Sequence, residues 1–235
     1  MRRSVAAKSP LAARRTGTPA RVALALLTLA VCLAVGPAWA NEGSPFAALE
    51  VRSNGRQVID ITTGVTTLPD GGNVVDKQTG VSFTASHIAY LDGAFIEASG
   101  VLLEGAFGVL SADDVRIDIA SSTLRATGEL TLRREGLEVL AKELEYFALT
   151  EVAVFEGGVK GTEPEFSAER VLLDVRNGDV LLDGRYSFSG DLFTMNSPEA
   201  GGLLELRLVE LGDVVTYSAA SEVSQSLLER FRAYL

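Results

Sequence analysis

The sequence predicts an all-β fold, a stack of repeated rungs that ends in a C-terminal amphipathic helix. Three observations carry that expectation. A short phrase returns every 27 to 29 residues, beginning at Ala85, Ala112, Ala141 and Ala168, each followed three positions later by an aliphatic: Ile88, Val115, Leu144 and Val171. A glycine then closes an apolar segment at Gly100, Gly128, Gly157 and Gly184. Between Val58 and Phe188 apolar and polar residues alternate, without a convincing helical period. Self-similarity at this period marks a chain wound in stacked rungs, each unable to bury its apolar face alone.

Residues 1–40 are predicted to be a secretory signal peptide and stand apart from the fold. Arg2, Arg3, Lys8, Arg14, Arg15 and Arg21 form a positive region without one acid, and residues 22–35 are uncharged but short for a membrane span. Gly36-Pro37 then precedes Ala38-Trp39-Ala40, a small-x-small cleavage site. Cleavage after Ala40 leaves 195 residues. Six of the 21 basic residues leave with the leader and none of the 31 acids, so the remainder carries a net charge of −16. Cys32, the only cysteine, leaves as well, so burial and backbone pairing must hold the fold without disulfides. The acidic balance argues against nucleic acid or an anionic membrane surface as partner. No later apolar run has the length of a membrane span. The cleaved chain is therefore expected to lack a transmembrane anchor and to be periplasmic or otherwise extracytoplasmic.

Residues 41–57 are short and mixed and read as a leader segment, 58–217 as the repeat body and 218–235 as the helix. Val58, Asp60, Thr62 and Gly64 alternate with Ile59, Ile61 and Thr63 in strand fashion. Pro69-Asp70-Gly71-Gly72 is a turn, since proline presets one dihedral and glycine allows positive φ. The first strand of each repeat reads apolar-x-Ala-x-x-apolar-x-apolar: Phe83, Ala85, Ile88, Tyr90; Leu110, Ala112, Val115, Ile117; Val139, Ala141, Leu144, Tyr146; Phe166, Ala168, Val171, Leu173. In a plain strand a step of three sends the aliphatic to the opposite face. The same step in four copies predicts a bulge that keeps both halves facing inward, with small alanine inside the corner.

The second strand reads apolar-x-small-x-Gly-x-apolar: Ile96, Ala98, Gly100, Leu102; Leu124, Ala126, Gly128, Leu130; Val180, Leu182, Gly184, Tyr186. The third copy is less regular, with Val152, Val154 and the pair Gly157-Gly158. Glycine in a strand marks a bulge, a bend or a close approach. Asn177-Gly178 is the strongest hairpin turn. Leu137, Leu140, Leu144 and Phe147 also fit a helix, and the repeat register decides for strand. Leu204, Leu206 and Leu208 alternate with charges, and Val214 to Tyr217 reads as a last strand. From Ser218 onward there is no Gly or Pro, and Val223, Leu227, Phe231 and Tyr234 recur at helical spacing, widened by Leu228 and Leu235. Ser218 or Ser221 is placed to cap that helix.

The catalytic inventory is nearly empty. His87 is the only histidine and sits in the first alanine-to-aliphatic corner, where an ordinary polar side chain at a strand bend is the plain account. One histidine cannot supply a usual zinc ligand set. Asp113-Asp114 and the acids from Asp174 to Asp179 lack the spacing of a calcium loop and read as solvated turn acids. No spacing singles out a carboxylate pair for glycoside hydrolysis. The expectation is a non-enzymatic protein without metal or cofactor; a secreted hydrolase would require His87 or a close acid pair at a concave site.

The inward stripe remains as the candidate site: Phe83, Ile88, Tyr90 and Ile96; Leu110, Val115, Ile117, Leu124 and Leu130; Leu144 and Val154; then Phe166, Val171, Leu173, Val180, Leu182, Tyr186 and Phe188. Each alone reads as core. As a set they would either close tightly or splay into a trough for an acyl chain. Burying a dozen methylenes is worth about 10 kcal/mol before association costs, at ~0.8 kcal/mol per CH₂.

The segments Phe83–Tyr90 (FTASHIAY), Leu110–Ile117 (LSADDVRI) and Phe166–Leu173 (FSAERVLL), each followed by an apolar strand ending in x-Gly-x-Val/Leu, resemble OstA-type repeats. These belong to the periplasmic lipopolysaccharide-transport proteins LptA and LptC and the N-terminal part of LptD. The likeness spans about Val58 to Gly190. It implies an open, V-shaped β-jellyroll whose concave interior receives lipid A acyl chains, with the inward residues above as lipid contacts. It also implies end-to-end strand pairing with other jellyrolls, for which unpaired sheet edges supply the physics. LptC-like proteins keep a membrane anchor, whereas this chain is expected to be cleaved free, as an LptA-like protein would be. The C-terminal helix is no part of the repeat and is placed to cap one end of the stack and block polymerisation. The expected function is a non-catalytic carrier of lipopolysaccharide or another envelope lipid. The alternative is a structural or assembly module of the cell envelope with a filled interior.

Overall fold

The computed structural model describes residues 45–76, 80–190, 193–197, 199–211 and 214–235; the predicted signal peptide, with Ala38 and Ala40, lies outside the described residues. The described chain is all-β, sixteen strands in one antiparallel sheet plus a single short helix. The strands are β1 (Leu49–Ser53), β2 (Val58–Ile59), β3 (Thr66–Leu68), β4 (Gly72–Asp76), β5 (Ser82–Ala85), β6 (His87–Leu91), β7 (Phe95–Gly105) and β8 (Gly108–Asp118). They continue with β9 (Thr123–Arg134), β10 (Leu137–Phe147), β11 (Val152–Glu163), β12 (Glu165–Asp174), β13 (Val180–Ser189), β14 (Thr194–Ser197), β15 (Leu203–Leu211) and β16 (Val214–Ala220), before the helix α1 (Gln225–Phe231).

From β7 to β13 the strands are 10 to 12 residues long, and each pairs with its chain neighbour. The step of three in the sequence is a bulge in the structure. Pairing slips between Ser111 and Asp114, between Ala141 and Glu143, and between Ala168 and Arg170, and β5 and β6 break at Ser86. In β8 Leu110, Ala112, Val115 and Ile117 are all buried while Asp113 and Asp114 are exposed. An odd residue added at mid-strand restores the inward phase after the bend.

The bends divide the sheet into two limbs. The first limb runs from β2, β3 and β6 through residues 95–99 of β7 to β15 and β16. The second runs from β1, β4 and β5 through residues 102–105 of β7 to β14. Among the described residues each limb therefore ends in two open strands, β2 and β16 or β1 and β14. The inner faces of both limbs share one apolar core that extends from Val74 and Phe83 to Leu206 and Tyr217. A smaller cluster lies on the outer face of the first limb, where Val152, Leu172 and Leu181 meet Leu227 and Phe231 of α1.

Several elements depart from the sequence expectation. The predicted leader at 41–57 contains β1, whose Leu49 and Val51 pack on the core while Glu50 points away. The strand expected from Val58 to Gly64 stops at Ile59, because the Asp60 carboxylate accepts the Thr62 N–H at 2.8 Å and the Thr63 hydroxyl at 2.9 Å, closing a turn. The last strand extends past Tyr217 to Ala220, which pairs with Glu205. The helix is accordingly shorter than 218–235. Neither Ser218 nor Ser221 caps it; Ser224 occupies the cap position, and its N–H donates to the buried Glu205 carboxylate at 2.7 Å. Leu235 is half exposed and adds nothing to the buried stripe. Leu137–Phe147 is strand throughout.

Candidate functional site

The corners explain how one lining is built from two limbs. The residue after each repeat alanine (Ser86, Asp113, Lys142 or Glu169) lies against the repeat glycine of the next strand (Gly100, Gly128, Gly157 or Gly184). Asp113 accepts the Glu129 N–H at 2.9 Å and Glu169 accepts the Arg185 N–H at 3.1 Å, both just past the glycine. Gly128 has φ +101°, and a Cβ there would lie 2.2 Å from the Asp113 carboxylate. The glycine beat in the sequence is the other half of the bulge, a place where the backbone must turn and nothing larger fits.

Every predicted lining residue except Val154 faces the shared interior. Phe83, Ile88, Ile96, Leu110, Val115, Ile117, Leu124, Leu130, Leu144, Phe166, Val171, Leu173, Val180, Leu182 and Phe188 are buried there, and Tyr90 and Tyr186 pack half-buried against them. Val154 lies on the opposite face, packed on the α1 cluster. The inward residues of β11 are Ala153 and Phe155, four and two positions before Gly157, so the third copy keeps the spacing of the others. Apolar residues on both faces of β11 hide that phase. Leu102, expected inward, is 45% exposed, and Val101 and Leu103 take the interior, because Gly100 (φ +61°) shifts the phase within β7.

The lining is closely packed around Phe107 and Phe155. The gap bounded by Phe107, Leu110, Leu132 and Phe155 measures about 10 Å³, no more than the smallest site that holds one water. The open space is at the rim. Between the β11–β12 tip and β16 lies a cleft of about 750 Å³, lined by Pro164, Phe188, Phe193 and Tyr217, with the two phenylalanine rings 5.9 Å apart.

Two buried carboxylates dock α1. Asp174, expected as a solvated turn acid, is buried and accepts Arg230 Nε at 2.8 Å together with the N–H groups of Arg176 and Asn177. Burial pushes its carboxyl up, and the Arg230 bonds and charge, aided by those N–H groups, outweigh burial and hold it below the ordinary range. Glu205 behaves alike: burial opposes ionisation, and bonds from Arg207 and Ser224 prevail. Asp179 between them goes up, from burial and then the charges of Glu205 and Asp174. Burial also pushes the Tyr146 and Tyr217 phenols up to about 12; the Tyr217 hydroxyl donates to the Gly178 carbonyl at 3.1 Å.

The two outer faces differ. Across the first limb the register runs Glu97, Arg116, Arg125, Glu145, with Glu97–Arg116 and Arg125–Glu145 ion pairs. Across the second limb one unbroken row crosses eleven strands: Arg52, Asn73, Thr84, Leu102, Ser111, Thr131, Leu140, Lys160, Ser167, Ser187 and Asn196. No acid occurs in it.

His87 is exposed at the start of β6, in the first corner. Among the described residues no group of three or more His, Cys, Asp or Glu side chains is placed to hold a metal ion, and no helix is long and apolar enough to cross a membrane. None of the protein-family models and none of the curated proteins compared with the sequence matches it.

Proposed function

We propose that this protein is a non-catalytic, extracytoplasmic β-jellyroll of OstA type that serves as an assembly module of the cell envelope. It joins other jellyrolls, or further copies of itself, end to end through its open strands. The observation that carries this is β16: seven residues, VVTYSAA, without a charge or a proline, paired to β15 on one side and to no strand among the described residues on the other. Edges of that length are ordinarily blunted by charge, proline or a cover. At the other end of the same limb β2 presents Val58 and Ile59, 57% and 61% exposed. Pairing β16 of one molecule with β2 of the next is heterologous and gives a ring where the rotation closes and an open chain where it does not. The close packing of the lining around Phe107, Leu110, Leu132 and Phe155 supports a spine over a carrier. Sedimentation of the purified protein, alone and with a second envelope jellyroll, tests this. A series of assemblies that Thr216→Lys with Ser218→Lys abolishes, at an unchanged circular dichroism spectrum, is expected; assemblies indifferent to those lysines would overturn it.

A second reading is carriage of lipopolysaccharide or another envelope lipid, favoured by the phenylalanine-lined cleft at the rim. Under it, native mass spectrometry of protein extracted from its own envelope finds bound lipid, and Phe193→Asp, on the surface of the cleft, removes it. Phe166→Arg or Leu182→Arg would remove it from deeper in the fold. Protein that is lipid-free from the start would end this reading.

A further inference from the structure

The rim cleft lies along a strand edge. Four consecutive residues of β16, Thr216 to Ala219, line it, whereas one face of a strand would present only alternate ones. The cleft therefore borders β16 on the side left unpaired among the described residues, and Pro164, Phe188 and Phe193 wall it opposite. A free edge beside apolar pockets is what an added strand needs. At the far end of the same limb the β2–β3 tip is bare: Val58, Ile59 and Ile61 are 57%, 61% and 95% exposed. The tip is also held in shape, since the Asp60 N–H donates to the Val65 carbonyl at 2.9 Å and the Gly64 N–H to the Asp60 carbonyl at 2.7 Å. Docking it costs little ordering.

We propose that the cleft is the socket for the β2–β3 tip of a second copy in the same orientation, an assignment that rests on end-to-end joining and gives it a partner, a direction and a register. Strand parity sets the direction. Twelve strands cross the first limb with every neighbouring pair antiparallel, so β2 and β16 run oppositely. A copy in the same orientation adds its β2 to β16 antiparallel and continues the alternation. Eleven strands cross the second limb, so β1 and β14 run the same way and break the pattern.

The register sets the contact. One row crosses the first limb from Ile59 through Ile96, Ile117 and Leu173 to Leu206 and Ala219. From Tyr90 onward each member belongs to the shared core or packs on it, and Ile59 is left exposed at the open end. Carried into a second copy, the row sets Ile59 beside Ala219 and the tip beyond it along Thr216 to Ser218, the stretch that lines the cleft. Ile59 and Ile61 then face the wall of Phe188 and Phe193. The one acid of the tip, Asp60, is engaged by its own Thr62 and Thr63, while Glu163 and Glu165 border the cleft. The joint is therefore held by apolar burial and tightens as salt screens these carboxylates.

Sedimentation velocity of mixed variants tests it. Ile61→Glu spoils the tip and leaves the cleft, whereas Thr216→Lys with Ser218→Lys spoils the edge and leaves the tip. Each should weaken self-assembly about tenfold or more, and Phe193→Asp should match Ile61→Glu. Mixed in equal amounts, the Ile61→Glu protein and the double-lysine protein should form one-to-one dimers, because one intact cleft and one intact tip remain. Circular dichroism checks that every variant folds. Assembly that the lysines abolish but Ile61→Glu and Phe193→Asp leave unchanged overturns the socket and leaves edge pairing standing. Assembly indifferent to the lysines, or a wild-type protein monomeric at every concentration, overturns edge pairing and the socket with it. A mixture that stays monomeric overturns the match of tip to cleft. Loss of co-purified lipid on Phe193→Asp with assembly unchanged also overturns it, by assigning the cleft to an acyl chain.

Discussion

The two limbs share one interior and are unlike on their outsides. Inside, both follow the same arithmetic of alternating aliphatics around alanine corners, and a residue such as Leu110 of the second limb is interchangeable in role with Ile117 of the first. Outside, both carry ion pairs, Arg125–Glu145 on the first limb and Arg133–Glu138 on the second; only the first has a helix, seated on Val152, Leu172 and Leu181, and only the second is crossed by a row without acids. A repeat dictates the lining because every rung must bury the same face. It leaves the outer faces free, so the differences between the limbs belong to function and assembly.

The cover of the first limb gives the largest expected effect. Phe231 is fully buried in the outer cluster, and Phe231→Ala should cost about 3–5 kcal/mol through lost burial and a cavity. Limited proteolysis should then cut the C-terminus first while the shared core survives. A cost under ~1 kcal/mol would mean that the first limb is as bare as the second in solution.

The corners that join the limbs come next. Gly128→Ala meets the Asp113 carboxylate at a positive φ, whereas Gly158, also at positive φ (+81°), has open space within 4 Å of where a methyl group would stand. Gly158→Ala should cost only the left-handed backbone, about 1–2 kcal/mol, and Gly128→Ala roughly 1–2 kcal/mol more for displacing a bonded carboxylate. Equal losses in denaturant midpoint would show that the corner contact does not matter.

How much of this is legible in the sequence follows the same division. The shared lining is readable because its period survives in Ala85 to Ile88 and its three later copies. Phase fails where a second constraint overlies the repeat. Val154 reads as inward because α1 makes both faces of β11 apolar, and the inward Phe155 is recoverable only from its spacing to Gly157. Leu102 reads as inward because Gly100 resets the alternation. The helix is overextended because Ser218 to Ala220 suit either state, and only pairing with β15 makes them strand. Asp174 reads as solvated because its partner, Arg230, is 56 residues away. The hydroxyl row is invisible, since its members meet only through the register of eleven strands.

The carboxylate clamp under α1 predicts a pH signature of its own. Asp174 and Glu205 are held below the ordinary carboxylate range, so their contribution is complete above ~4 and is lost as pH falls through their folded values. Asp179 is raised, so its charge is a penalty at neutral pH that acid relieves first, above ~4. Stability should therefore rise slightly on mild acidification before falling. Asp179→Asn should remove the rise, and Asp174→Asn should cost about 2 kcal/mol at neutral pH and flatten part of the fall. A monotonic profile in the wild type would sink the assignment of opposite shifts.

The smallest effect tests whether the ion pairs of the first limb stabilise it or only decorate it. Arg125 and Glu145 pair at 2.8 Å with the arginine largely exposed, so a double-mutant cycle should give about 0.2–1 kcal/mol, shrinking as salt is added. Thr131→Val at the matching place on the second limb should stay within about 0.5 kcal/mol and ignore salt. If the Arg125–Glu145 coupling instead exceeded about 2 kcal/mol and persisted in salt, the first limb's exterior would be a rigid network with Arg116 and Glu97. The charged face would then be part of the scaffold.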